Sequence, residues 1–154
     1  MVWRQHIITI YPLIRPMIET HHLDFQTKGT DDIIRITDEV RRVVAKSGVR
    51  EGSVLLFLQS TTASIAIIED EEGLLSDFKS AMERLVPRDL EYEHEKAWHD
   101  GNGHSHIRAT IMGQSLTIPI SDSSMLLGRW QQLFLTEFDV RPRKRTVIVQ
   151  IQGD

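Results

Sequence analysis

Four of the seven histidines fall in one short stretch, Y-E-H-E-K-A-W-H-D-G-N-G-H-S-H-I-R-A, from Tyr92 to Ala109. Imidazole carries protons near neutral pH and ligates metals, so a cluster of it marks either chemistry. The H-I-R-A-T-I-M segment is β-branched and predicts a strand over Ile107–Met112. If His104 and His106 open that strand, they project to one face, two residues apart. With His94 from the loop before, they make a candidate metal set of His94, His104 and His106. Three imidazoles suit Zn²⁺, whereas Mg²⁺ prefers oxygen and would enter with a phosphate. Asp100 and Asn102 read equally as loop residues that tolerate left-handed backbone or as ligand contacts. His99 beside Trp98 reads as a surface or packing residue, and adjacent His21 and His22 as ordinary strand residues.

A second polar run lies between two apolar segments. In Q-S-T-T-A-S, the hydroxyls of Ser60, Thr61, Thr62 and Ser64 either bond the local backbone or hold an oxyanion together with backbone N–H groups. Glu69 ends the next apolar segment, where it reads as a general base, as a partner to a metal ligand, or as a cap on the following helix. Trp130 reads as core or subunit interface. Arg141, Arg143, Lys144 and Arg145 read as a solvated turn, with a phosphate held by one of them as the alternative.

The positioning elements follow from periodicity. Residues 19–27 alternate as a strand. Val40, Val43 and Val44 recur at helical spacing after Thr37, a good N-cap, and Gly48 stops the helix, giving a helix over 37–47. Val54–Leu58 and Ile65–Ile68 are buried strands. Leu74, Leu75, Phe78, Met82, Leu85 and Val86 form an apolar stripe on a second helix ended by Pro87 and are expected in the core. Strands at 115–120, 133–138 and 146–151 complete the pattern. Helices and strands do not alternate strictly, so the expected fold is α+β: one compact domain of mixed or antiparallel sheets with two main helices. Its many strands imply edges that a closed oligomer would cover.

Composition bounds the function. There is no cysteine, which excludes disulfides and thiolate chemistry. A net charge of −4 argues against broad attraction to nucleic acid or anionic membrane. The apolar run Ile7–Ile18 is interrupted by Pro12, Arg15 and Pro16 and is too short to span a bilayer, so a cytoplasmic protein is expected.

The blocks S-T-T-A-S-I-A-I-I-E, the histidine segment, G-Q-S-L-T-I-P-I, L-G-R-W-Q-Q-L-F-L-T-E-F-D and R-T-V-I-V-Q-I-Q-G resemble the YjbQ-like family, also described as secondary thiamine-phosphate synthase. The resemblance covers residues 20–153 and leaves 1–19 as an N-terminal extension. It implies a homotrimer with pockets near the subunit boundaries. It also implies weak thiamine-phosphate synthesis, in which a pyrimidine methyl pyrophosphate joins a thiazole phosphate and pyrophosphate leaves. Carried over by position, it places site residues at Glu69, His94, His106, Glu137 and the Gly128, Arg129, Trp130, Gln131 motif, where Arg129 replaces the usual threonine. A family histidine falls on Ser60, so His104 is expected to replace the missing imidazole. The expected catalytic set is Glu69, His94 and His106. Ser60, Thr61, Thr62, Asn102, Arg108, Gly128, Arg129 and Gln131 are expected to hold substrate or phosphate. Arg108, Arg129 and Arg143 would neutralise the leaving pyrophosphate. The other reading is a non-catalytic trimer that binds a metal or a phosphorylated metabolite.

Overall fold

The computed structural model describes residues 17–154. The elements run β1 (Met17–Gln26), β2 (Asp32–Arg35), α1 (Thr37–Ser47), β3 (Gly52–Leu58), β4 (Ala63–Glu69), α2 (Glu72–Leu85), α3 (Glu93–Trp98), α4 (Gly103–Met112), β5 (Ser115–Ser121), β6 (Ser124–Met125), β7 (Gln131–Glu137) and β8 (Lys144–Gly153). They form a five-stranded sheet, β1-β8-β3-β5-β6, and a three-stranded sheet, β2-β7-β4. Every pairing is antiparallel. The α+β class therefore holds, with four helices where the sequence predicts two. The expected extension 1–19 lies mostly outside the described residues, but β1 already begins at Met17, opposite Gly153.

One apolar cluster joins Val54, Leu56 and Leu58 of β3, Val147, Val149 and Ile151 of β8, Ile65 of β4, Leu133 and Leu135 of β7, and Val40 and Val44 of α1. Alternate β7 residues point the other way. On that side Phe138, just past the strand, packs with Met82 of α2 and Ala109 of α4. Because β7 is covered on both faces, all residues from Leu133 to Asp139 are buried. Helix α1 has the predicted bounds and stops at Gly48 in the left-handed region, φ 76°. The Thr37 hydroxyl does not cap it; it accepts from the buried Leu133 N–H at 2.8 Å, which ties the helix to β7.

Two expectations are corrected. The segment 107–112 is helix, not strand. Its buried positions are His104, Ser105, Arg108 and Ala109, an i, i+4 stripe made largely of polar residues, so hydrophobicity alone does not reveal the period. The α2 stripe is core only in part: Met82 and Val86 are buried and Phe78 packs against the Met82 cluster, whereas Leu74 and Leu85 are exposed.

Candidate functional site

The helical start of α4 decides which histidines meet. Residues two apart on a helix lie about 200° apart around its axis, so His104 and His106 diverge instead of sharing a face. His104 turns inward, where it is buried, its ring centroid 6.3 Å from that of Tyr92 and its Nε2 3.3 Å from the Ser105 hydroxyl. Burial, then the nearby Arg108 and Arg88 cations, push its pKa below the ordinary histidine value. His106 turns to the other side and meets His94, their rings tilted and 4.6 Å apart between centroids. His94 Nε2 lies 3.6 Å from Asp100 Oδ1. The expected set of His94, His104 and His106 therefore does not form within the chain. Among the described residues, no group of three or more His, Asp or Glu side chains is arranged to hold a metal.

The loop into α4 is held by a residue the sequence reading passed over. The Glu95 carboxylate accepts from the N–H of Gly101 at 2.6 Å and of Gly103 at 2.7 Å. Those two bonds, with the Gly103 N–H first, hold its pKa below the usual carboxylate range despite partial burial. Gly103 is required for space, since a Cβ there would lie 2.6 Å from the Tyr92 Cβ.

His106 opens onto a cleft of about 390 Å³ that it shares with Thr61, Thr62, Asn102, Asp139, Arg143, Lys144 and Arg145. The end of β7 and the start of β8 build its far wall. Fully buried Glu137 accepts from Arg145 through Nε and Nη2, both at 2.6 Å, from the Thr27 hydroxyl at 2.9 Å and from the Asp139 N–H at 2.9 Å. Arg145 Nη2 also donates to the Thr62 hydroxyl at 2.7 Å, which donates in turn to Asp139 Oδ2 at 3.2 Å. Arg143 Nε donates to the same Oδ2 at 2.9 Å. Burial works to raise the Asp139 pKa, but Arg143, Thr62 and the Arg141 N–H outweigh it and hold it low. Asp139 and Asn102 are 2% and 5% exposed, yet Oδ1 of each, like the buried Oδ1 of Asp100, has no hydrogen-bond partner among the described residues. Asp139 was not in the predicted site, while Arg143, Lys144 and Arg145 were expected as turn cations, with a phosphate held by one of them as the alternative. The signal was present: Glu137/Asp139 and Arg143/Arg145 are each two apart, the spacing that puts residues on one face of extended chain.

The other predicted residues lie elsewhere. Arg108 is buried completely and bound to the Val86 carbonyl (Nε 3.0 Å, Nη2 2.8 Å), Glu83 (2.8 Å) and Asp31 (3.2 Å), so it is a structural tie and not a phosphate ligand. Ser60 accepts from the Thr62 N–H at 3.1 Å, the local backbone role. Gln131 Oε1 accepts from the Gly128 N–H at 2.8 Å, which closes their turn on itself. The β4–β7 ladder runs from Ala63 opposite Glu137 to Glu69 opposite Gln131. At about 3.3 Å per residue it separates the His106 cleft from Glu69, Arg129 and Trp130 by roughly 20 Å. Glu69 cannot act at the histidines of its own chain.

Fold and cleft together define a small single-domain α+β protein with a cation-rich pocket between one helix start and one strand turn. The chain belongs to the UPF0047 protein YjbQ-like family, whose model matches residues 21–154. It is 39% identical over 136 residues to a UPF0047 protein of Methanothermobacter thermautotrophicus, covering 88% of this chain and 93% of that one. A UPF0047 protein of Archaeoglobus fulgidus is 40% identical over 128 residues, covering 83% and 97%. Among solved structures, a YbjQ-like protein of unknown function from Sulfolobus solfataricus superposes with a TM-score of 0.87 at 28% identity, covering 91% of this chain and all of that one. An uncharacterised conserved protein of the family from Clostridium acetobutylicum gives 0.78 at 36% identity, covering 85% and 98%.

Proposed function

We propose that the His106 cleft is the active site of an enzyme acting on phosphorylated small molecules, with the thiamine-phosphate synthase reaction as its leading candidate. The observation that carries this is the cleft's composition: Arg143, Lys144 and Arg145 beside His106. Each cation is paired with an acid, Arg143 with Asp139, Lys144 with Asp24 and Arg145 with Glu137. Their remaining N–H donors, with the positive end of α4, whose first turn borders the cleft, favour an anion. Thr61 and Thr62 offer hydroxyls to phosphate oxygens.

In the proposed reaction the thiazole nitrogen attacks the pyrimidine methylene carbon. A C–N bond forms, the C–O bond to pyrophosphate breaks, and the electron pair leaves with pyrophosphate. The basic side chains stabilise that departing charge, and His106 is placed to hand a proton to a pyrophosphate oxygen. Zn²⁺ does not enter the step, because no group of three or more His, Asp or Glu side chains among the described residues is arranged to hold it. Self-assembly as a homotrimer belongs to the same proposal.

Calorimetric titration with pyrophosphate and a turnover assay with both precursors, with and without chelator, test it. Arg143→Gln should weaken pyrophosphate binding about 10- to 100-fold, the range for one charge-assisted hydrogen bond. His106→Asn should lower turnover by roughly 10²- to 10⁴-fold. Binding without turnover on either precursor pair would favour a metabolite-binding protein; no binding would remove the assignment. Metal analysis of wild type and His106→Ala tests the ion separately.

A further inference from the structure

At the far end of the β4–β7 ladder lies a second cleft of about 380 Å³, lined by Glu69, Asp70, Glu71, Arg129, Trp130 and Gln132. The Trp130 indole is 60% exposed there. A large aromatic ring left in water beside a carboxylate calls for an occupant with a flat face and a positive charge. One such group is already present, since the Arg129 guanidinium stacks over the indole 4.8 Å from its centroid. The exposed part of the ring is available to a second.

The carboxylates have different commitments. Asp70 pairs with Arg35 at 3.2 Å, and Glu71 caps α2 by accepting from the N–H groups of Gly73 and Leu74, both at 2.8 Å. Glu69 has no ion pair or side-chain hydrogen bond among the described residues. Three acids against Arg129 make the cleft unfavourable for an anion, and an uncharged aromatic ligand would leave Glu69 unpaired. A planar cation meets both demands, resting its face on the indole and directing two parallel N–H groups at one carboxylate. The platform is held in place, because Gly128 and Gln131 close the turn through reciprocal bonds of 2.8 and 3.0 Å on either side of Trp130.

We propose that Glu69 and Trp130 form a binding site for a guanidinium or amidinium group, distinct from the phosphate cleft and independent of what that cleft does. Benzamidine titrated into the full-length protein, followed by the Trp130 indole Nε1–H resonance, tests this; Trp130→Phe assigns the resonance. A saturable shift is expected for wild type. Glu69→Gln should weaken binding about tenfold or more, the loss of one charge-assisted contact. Arg129→Ala should bind as well or more tightly, because it frees the second ring face. Benzyl alcohol and benzoate should give no saturable shift. The proposal is overturned if benzamidine gives no saturable shift, if benzyl alcohol matches it, if Glu69→Gln binds like wild type, or if Arg129→Ala abolishes binding.

Discussion

Asn102 and Asp139 each carry a buried oxygen that no donor reaches, and such orphans are uncommon enough in folded proteins to need a reason. A ligand that brings donors or positive charge supplies one. Arg108 is the opposite case, a buried cation with every neighbour an acceptor: the Val86 carbonyl, Glu83 and Asp31. Truncating it removes both donors to the Val86 carbonyl and leaves a cavity, while Glu83 and Asp31 keep Arg88, so Arg108→Ala should cost about 1–3 kcal/mol in urea unfolding. His106→Asn, at a half-exposed position without a hydrogen-bond partner, should stay within about 0.5 kcal/mol of wild type. At this scale the sequence showed which residue types matter but not their partners. Arg108 looks like a phosphate ligand until the carbonyl end of α2 is known to meet it. Asp139 looks like a turn residue until Arg143 is known to fold back on it.

Secondary structure was legible where apolar spacing carried the signal. Helix α1 and strands β3 and β4 follow from their valines, leucines and isoleucines. Helix α4 was not legible, because its inward stripe is His104, Ser105, Arg108 and Ala109 and its outward face carries Ile107 and Ile111. A helix inverted in this way presents the wrong residues to any hydrophobic pattern, and the β-branched face then reads as strand. The α2–α4 contact also has an acid-sensitive component. Glu83 is held down from 4.5 to about 2 by the Arg88 N–H, then the Arg88 side chain, then Arg108. A depressed carboxylate stabilises the fold above its unfolded pKa and loses that contribution as pH falls. Thermal stability should therefore decline between about pH 4.5 and 2, and Glu83→Gln should flatten that part of the profile in a melting series.

Across the whole molecule, the apolar surface is divided unevenly. Leu74 and Leu85 of α2, Ile107 and Ile111 of α4, and Phe57 of β3 remain exposed, although the sequence expects the α2 stripe to be interior. The spacing was read correctly and the burial only at Met82 and Val86, because periodicity reports an apolar face without saying what covers it. A trimer would cover it. Ile111→Glu should then shift the mass measured by light scattering from three chains toward one, while circular dichroism of the separated chains stays native. If the wild type is already a monomer, the trimer proposal fails.

The ten-residue pairing of β1 with β8 brings Met17 beside Gly153, so the described chain starts and finishes at one spot on its surface. Removing residues 1–16, splicing Met17 to Gly153 through a short flexible bridge and cutting instead at the tight Asp122–Ser123 turn asks little of any strand. A circularly permuted gene of that design is thus a natural vehicle for relocating tags or fused domains to the opposite edge of the sheet.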